Sequence, residues 1–190
     1  QIELAKRTIT LSTNSALNRL KWIRRNKDKQ NLSNQNVKLN FSNSQFHLLK
    51  KYQHAFISKS TTSKNNTNSN KNYFYWSEGN VSLGRVGDTS IASTKEVHTN
   101  SLTFGYDRFT DDYGISGLAF RYGNDDVDVG TAGSNLDSNT YNITYYSTSP
   151  IKDDTKYVDK IFGIGKIRSD ILTVLDGKNL TADRTGNQIY

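Results

Sequence analysis

The chain contains residue types that can do chemistry, but their spacing does not build a catalytic or metal-binding pattern. The three histidines, none with a partner at the spacing of metal ligands, are His47, His54 and His98. Asp125, Asp126 and Asp128 lie close together, yet this segment lacks the spaced oxygen ligands and closing glutamate of a calcium-binding loop. The chain has no cysteine, which excludes a thiolate zinc site and a thiol nucleophile. The sequence therefore predicts no enzyme activity, no cofactor and no bound metal.

Two other short patterns match reactive motifs only in part. Gly163, Gly165 and Lys166 lack the Gly-x4-Gly-Lys-Ser/Thr frame of a phosphate-binding loop, and they lie within a strand pattern. Glycine inside a strand more often permits close packing. No Gly-x-Ser-x-Gly segment orders a serine nucleophile. These residues are therefore interpreted as structural.

The composition is unusual for a soluble domain. Only 34% of the residues are apolar, whereas soluble domains have about 45 to 50%. Aromatic residues nevertheless reach 11%. No stretch approaches the roughly 18 consecutive apolar residues of a membrane-spanning helix. A membrane β-barrel remains open, because its signal in each strand is weak.

The charge of the chain is divided unequally between its two parts. The formal net charge is +7, with +12 on residues 1–72 and −5 on residues 73–190. A basic segment alone is typical of nucleic-acid or anionic-lipid binding. Because the second part is acidic, we expect no nucleic-acid partner.

A helical pattern predicts a basic amphipathic helix over about residues 14–26. The apolar residues of one face are Ala16, Leu17, Leu20 and Ile23. The basic residues around the rest of the helix are Arg19, Lys21, Arg24 and Arg25. Two interpretations stay open, a solvated surface helix and a helix enclosed by acidic or polar groups.

Composition also predicts three regions. Residues 1–57 contain the basic helix and form the first region. Residues 58–72 are all Ser, Thr, Asn or Lys, which predicts a flexible linker. Residues 73–190 form the third region, where the hydrophobic period changes to two.

This third region is predicted to be an antiparallel meander. The predicted strands lie near residues 73–86, 95–109, 113–129, 137–149 and 156–175, and a further strand begins after them. The apolar residues that share one face of two neighbouring strands are Leu102, Phe104, Tyr106, Leu118, Phe120 and Tyr122. Asp107, Gly117 and Arg121 lie on the opposite face. One face is therefore apolar, and the other is small, polar or charged.

Two features favour a membrane barrel over a soluble sandwich, which also has alternating strands. Tyr and Phe are frequent near the strand ends, as in the aromatic girdles of membrane barrels. The predicted connections alternate between long and short, as do the two ends of an outer-membrane barrel. These connections are residues 87–94, 110–112, 124–138 and 150–155.

Several segments resemble the β-domain of autotransporters, the type V secretion translocators of Gram-negative bacteria. The segments are YWSEGNVSLGR (75–85), LTFGYDRFTDDYGISGLAFRYGNDDVDV (102–129), TYNITYYSTS (140–149) and YVDKIFGIGK (157–166). The segment ALNRLKWIRR (16–25) is similar to the basic helix that lies in the pore of that family.

The resemblance implies a twelve-stranded outer-membrane barrel with a helix in its lumen. The barrel would be a pore for export of the protein's own passenger. Implied partners are outer-membrane lipid, the passenger domain and the barrel assembly machinery. Because only five or six strands are visible and an open edge cannot face lipid, residues 73–190 are interpreted as the N-terminal half of such a barrel. Residues 1–57 would then be the end of the passenger and linker region, and the chain a fragment of a longer protein.

The resemblance also implies roles for individual residues. The helix residues that would close the pore are Arg19, Lys21, Arg24 and Arg25. The residues that would face the lumen are Glu78, Asp107, Arg121 and Asp159. The residues that would face lipid are Leu102, Phe104, Tyr106, Leu118, Phe120 and Tyr122.

Two alternative functions remain at this point. A porin-like outer-membrane barrel has strands of the same kind but does not call for a basic helix before the first strand. A soluble β-barrel or adhesin-like binding module would bury its apolar faces without a membrane.

Overall fold

The described part of the chain folds as one long helix and a single β-sheet. The computed structural model describes residues 2–27, 29, 31–41, 73–87, 94–110, 114–130, 133–151 and 155–190. Helix α1 spans Ile2–Arg25. The strands are β1 (Asn34–Phe41), β2 (Tyr73–Val86), β3 (Lys95–Phe109), β4 (Ile115–Val129), β5 (Ser134–Ile151), β6 (Lys156–Leu175) and β7 (Lys178–Ile189).

The sheet follows the order of the chain from β1 to β7. Strands β2 to β7 pair antiparallel with their sequence neighbours, so the predicted meander is confirmed. The tight turn at Asp176 and Gly177, both with positive φ, joins β6 to β7. Strand β7 is the strand whose start the sequence indicated after residue 175.

Strand β1 was not predicted, and its pairing with β2 is the one parallel pairing among the described strands. Its register with β2 runs from Asn34 opposite Trp76 to Phe41 opposite Leu83. The segment VKLNF (37–41) alternates apolar and polar residues, so a short period-two signal was present. The predicted linker, residues 58–72, lies outside the described residues.

The predicted long connection over residues 124–138 is wrong. Strand β4 continues to Val129 and β5 already begins at Ser134, which leaves only residues 130–133 between them. Asn124 and Asp126 face Asn139 and Asp137 across the two strands. Polar side chains do not prevent backbone pairing, so polarity alone predicted too long a connection, although the predicted strand near residues 113–129 ends where β4 does.

The helix is also longer than predicted, because it begins at Ile2 rather than near residue 14. Its N-terminal part faces the sheet with small polar side chains, including buried Thr8, Ser12 and Ser15. These positions are three or four residues apart and form one helical face. A search for apolar periodicity detects only the C-terminal half of this face.

Two small apolar clusters hold the C-terminal half of α1 on the sheet. One contains Ala16, Leu20, Trp76, Ala119 and Tyr146. The other contains Ile23, Leu32, Phe74 and Ile115. Among the described residues, no helix is sufficiently long and apolar to cross a bilayer.

The two faces of the sheet have opposite chemistry. The face that contacts α1, here called the inner face, carries mainly small and polar side chains. The opposite face, here called the outer face, carries exposed aromatic and aliphatic side chains. In β4 burial alternates residue by residue, so that Ala119 and Arg121 are buried while Phe120 is exposed.

The sheet curves around the helix. Ser15 of α1 binds Glu78 on β2, and Thr8 of the same helix binds Gln188 on β7. Six adjacent strands of a flat sheet span about 24 Å, whereas a helix is about 10 to 12 Å wide. One helix contacts both β2 and β7 only because the inner face is concave.

Candidate functional site

A buried ion pair joins the middle of α1 to β3. Arg19 Nε donates to Asp107 Oδ2 at 2.7 Å, and Arg19 Nη2 donates to Asp107 Oδ1 at 2.9 Å. The side chains of Arg19 and Asp107 are only 1% and 0% exposed. The third nitrogen, Nη1, donates to Asn34 Oδ1 at 3.1 Å. This two-bond geometry is the strongest form of an arginine–carboxylate contact.

Two aromatic side chains extend this ion pair across the inner face. Tyr146 Oη donates to Asp107 Oδ2 at 2.9 Å, and Trp76 Nε1 donates to Tyr146 Oη at 2.6 Å. The Arg19 guanidinium also lies 5.1 Å from the ring centre of Trp22. Because the network is buried, its hydrogen bonds are less weakened by water than surface bonds.

Glycines make room for the two aromatic rings. A Cβ atom on Gly105 would overlap the indole of Trp76, and one on Gly117 would meet the ring of Tyr146. Gly105 pairs with Trp76 across β2 and β3, and Gly117 pairs with Tyr146 across β4 and β5. Each ring therefore lies over the glycine of the neighbouring strand.

A second ion pair lies at the C-terminal end of α1. Arg24 Nη1 contacts Asp159 Oδ1 at 2.7 Å, and these side chains are 23% and 24% exposed. The same nitrogen donates to Thr148 Oγ1 at 3.3 Å. Its guanidinium lies 5.4 Å from the ring centre of Tyr157. Water reaches this pair, so it is weaker than the buried pair.

Single hydrogen bonds hold the N-terminal part of α1, from Ala5 to Ser15. Ser15 Oγ donates to Glu78 Oε1 at 2.8 Å. Gln188 Nε2 donates to Thr8 Oγ1 at 2.6 Å and to the carbonyl oxygen of Ala5 at 3.0 Å. Arg7 Nη2 donates to Ser82 Oγ at 3.3 Å. The helix is therefore bound along most of its length.

Arg121 is buried in this interface without a hydrogen-bond partner among the described residues. Its side chain is 1% exposed, and none of its three guanidinium nitrogens makes a hydrogen bond there. The guanidinium lies over Gly123, where a Cβ atom would be 2.7 Å from Nη1. Asp125 Oδ2 and Thr140 Oγ1 also lack hydrogen-bond partners within the described part. This region is thus polar but less well paired than the region around Arg19.

The structure separates the four predicted basic residues of the helix into two groups. Arg19 and Arg24 bind carboxylates of the sheet. Lys21 and Arg25 are exposed and line a cleft of about 210 Å³ between α1 and the first strands. Sequence spacing did not distinguish these groups.

The predicted lumen residues and lipid-facing residues lie on opposite faces of the sheet. Glu78, Asp107 and Arg121 are buried on the inner face, and Asp159 lies at its edge against Arg24. The six predicted lipid-facing side chains lie on the outer face and are 36% to 55% exposed. They are Leu102, Phe104, Tyr106, Leu118, Phe120 and Tyr122. Contact of these side chains with lipid stays a prediction.

The sequence analysis missed several residues of the site, and three of them lie on the inner face of the sheet. The inner face carries Trp76, Tyr146 and Gln188, whereas the neighbouring aromatics Tyr75 and Tyr145 point outward. For Trp76 and Tyr146, the available signal was a large aromatic residue on a strand face whose other side chains are small or polar. Only the register shows that each of the two aromatics lies opposite a glycine.

The comparisons with known proteins identify the family. A family model described as autotransporter beta-domain matches residues 75–190. Comparison with curated proteins gives no match, and neither does comparison with solved structures. The matched range contains nearly all of β2 and every later strand, which is more than half of the chain. The chain therefore belongs to the autotransporter β-domain family.

Proposed function

We propose that this chain helps to export its own passenger across the outer membrane, and that α1 then closes the pore from within. Membership of the autotransporter β-domain family supports a role in an outer-membrane translocator domain. The proposal adds the passenger and the role of the helix.

The Arg19–Asp107 pair is the observation that carries the proposal. A charged helix residue that is 1% exposed needs a partner, because an unpaired buried charge is costly. The inner face supplies this partner together with Tyr146. Such a contact requires α1 to lie against the concave polar face, which would be the lumen of the closed barrel.

The outer face supports insertion into a membrane. Its exposed side chains form a band across β2 to β6, with the tyrosines Tyr75, Tyr122 and Tyr141 among them. Exposed apolar surface of this extent is unfavourable in water. It is typical of the lipid-facing surface of outer-membrane barrels. We accordingly propose membrane lipid as a partner, and the barrel assembly machinery as the factor that inserts the strands.

Ion conductance of the full-length protein in planar bilayers tests the role of the helix. Deletion of residues 2–25 is expected to raise the conductance, because water and ions would fill the volume that α1 occupies. Arg19→Glu should raise it as well, since two carboxylates would then face each other in a buried site.

Lys21→Glu is the matched control, because Lys21 lies on the same helix but is exposed. It should leave the conductance near that of the unmodified protein. If deletion of the helix leaves the conductance unchanged, α1 does not close the pore. The porin-like interpretation would then be favoured.

A further inference from the structure

The outer face has a groove between β5, β6 and β7. Its volume is about 420 Å³, and its apolar walls include Phe120, Ile143, Ile164 and Ile189. Three of these residues are adjacent in register, with Ile143 opposite Ile164 and Ile164 opposite Ile189. Their side chains are 50% to 75% exposed, so the groove opens outward. Its apolar lining fits a hydrocarbon chain.

Two basic side chains lie at one end of this groove. Lys166 contributes to its wall, and Arg168 follows on the same face of β6. Both are exposed, and neither makes a hydrogen bond or an ion pair with any residue in the described part of the chain. Lys166 pairs with Tyr141 on β5 and with Asn187 on β7. The basic residues therefore begin in the strand row where the aromatic band ends.

The order of chemistry along the strands matches a lipid with an anionic headgroup. The row at Ile164 is apolar, the rows at Lys166 and Arg168 are basic, and the next row contains Asp170. Asp137 and Asp183 flank Asp170 and make that row acidic. An anion is therefore favoured beside Lys166 and Arg168 and disfavoured one row farther out.

We propose that β5, β6 and β7 form a binding site for a phosphorylated membrane lipid. One acyl chain lies in the groove against Ile143 and Ile164, and the phosphate is bound by Lys166 and Arg168. Arginine binds phosphate through two parallel hydrogen bonds, and lysine binds it as a point charge. This inference rests on the proposed function, because it requires the outer face to lie in a bilayer.

Photo-crosslinking tests the site in the full-length protein. The protein is placed in phosphatidylcholine nanodiscs that contain phosphatidic acid with a diazirine in its acyl chain. Crosslinked peptides are then mapped by mass spectrometry. Phosphatidic acid should label β5–β7 more than phosphatidylcholine that carries the same diazirine chain. Lys166→Gln and Arg168→Gln should each lower this labelling about fivefold, as expected for one basic residue near a membrane surface.

Lys178→Gln is the matched control, since Lys178 is exposed but lies at the far end of the β6–β7 hairpin. It should not change the labelling. Equal labelling by the two lipids would overturn the site. Undiminished labelling of a variant that carries both Lys166→Gln and Arg168→Gln would overturn it as well. Displacement of the lipid by an equimolar amount of inorganic phosphate would also overturn it, because the site would then bind free phosphate.

A second assay separates this inference from the proposed function. Folded insertion is measured by heat-dependent mobility on gels, in nanodiscs of phosphatidylcholine alone. If the unmodified protein does not insert, the proposed function fails. If it inserts but shows no preference for phosphatidic acid, only the lipid site fails.

Discussion

Asp107 accepts two hydrogen bonds from Arg19, at 2.7 and 2.9 Å, in a site where both side chains are at most 1% exposed. Tyr146 donates a third bond to the same carboxylate. One carboxylate therefore links α1, β3 and β5. Removal of its cationic partner would leave an uncompensated buried charge, which is strongly destabilising.

Arg19→Met is expected to lower the free energy of unfolding by about 3 to 5 kcal/mol, because Asp107 would stay buried without its cation. The measurement is urea unfolding of the full-length barrel in detergent. Lys21→Met is the control, and its effect should be within about 0.5 kcal/mol because Lys21 is exposed. Equal effects of the two substitutions would contradict the structural difference between them.

The Arg24–Asp159 pair should contribute much less. Both side chains are about a quarter exposed, at 23% and 24%. Arg24→Gln is therefore expected to cost at most about 1 kcal/mol. The loss should shrink further at about 1 M salt, where the Debye length is about 3 Å. A loss as large as that of Arg19→Met, and independent of salt, would mean that this pair is buried in the complete barrel.

Gly105→Ala is expected to destabilise the sheet, because the new Cβ atom would overlap the indole of Trp76. Displacement of a well-packed ring costs about 1 to 3 kcal/mol. Gly186→Ala on β7 is the matched control, since nothing lies within 4 Å of its added Cβ atom. Alanine should be neutral or slightly stabilising there. Unfolding of both variants in urea gives the comparison.

The pH dependence of the free energy of unfolding should reveal repulsion between two carboxylates of the β4–β5 hairpin, Asp126 and Asp137. Asp137 precedes Tyr141 by four residues and lies outside the apolar band that we assign to the membrane. It faces Asp126 on β4 and Asp170 on β6. Partial desolvation, and next the charge of Asp126, raise the pKa of Asp137. A raised carboxyl pKa means that the folded state binds its proton more tightly. The protonated form of Asp137 therefore stabilises the folded state. This stabilisation is complete below the pKa of an ordinary aspartate, about 3.9, and is lost as the pH rises through the higher pKa of Asp137 in the folded protein.

Asp126→Asn removes one charge of this pair. It should stabilise the protein at neutral pH, and the gain over the unmodified protein should vanish below about pH 4, where aspartate is protonated. Asp176→Asn, in the β6–β7 turn, is the control and should show no such crossover. Urea unfolding at a series of pH values measures both variants. A gain that does not depend on pH would exclude charge repulsion as its cause.

The alternation of side chains along the chain was enough to predict most of the sheet. Strands β2, β3 and β6 begin and end where the period-two pattern does. This works because each strand has one apolar and one polar face, and the alternation is a local property. It was wrong about the connection assigned to residues 124–138, where most side chains are polar and only residues 130–133 join the two strands. There, pairing depends on the neighbouring strand rather than on local hydrophobicity.

The sequence also predicted a basic helix, but only in part. Apolar spacing detects a helix that packs on an apolar surface, and the second half of α1 does so through Leu20 and Ile23. The first half packs on a polar surface through Thr8 and Ser12. The polarity of that partner surface is a property of the folded sheet, so the helix start was not recognisable from apolar periodicity.

The choice between Arg19 and Lys21 shows what only the tertiary structure decided. In the sequence the two residues belong to one basic group and have equivalent roles. Because they are two positions apart, they point about 200° apart around the helix. Only one of the two residues can therefore face the sheet. The rotation of α1 that brings Arg19 onto Asp107 is set by packing between α1 and residues far away in the chain. In this packing, Ala16 and Leu20 of α1 contact Trp76 and Tyr146 of the sheet. Charge and helical period are local, whereas this rotation depends on packing between segments that are distant in the sequence.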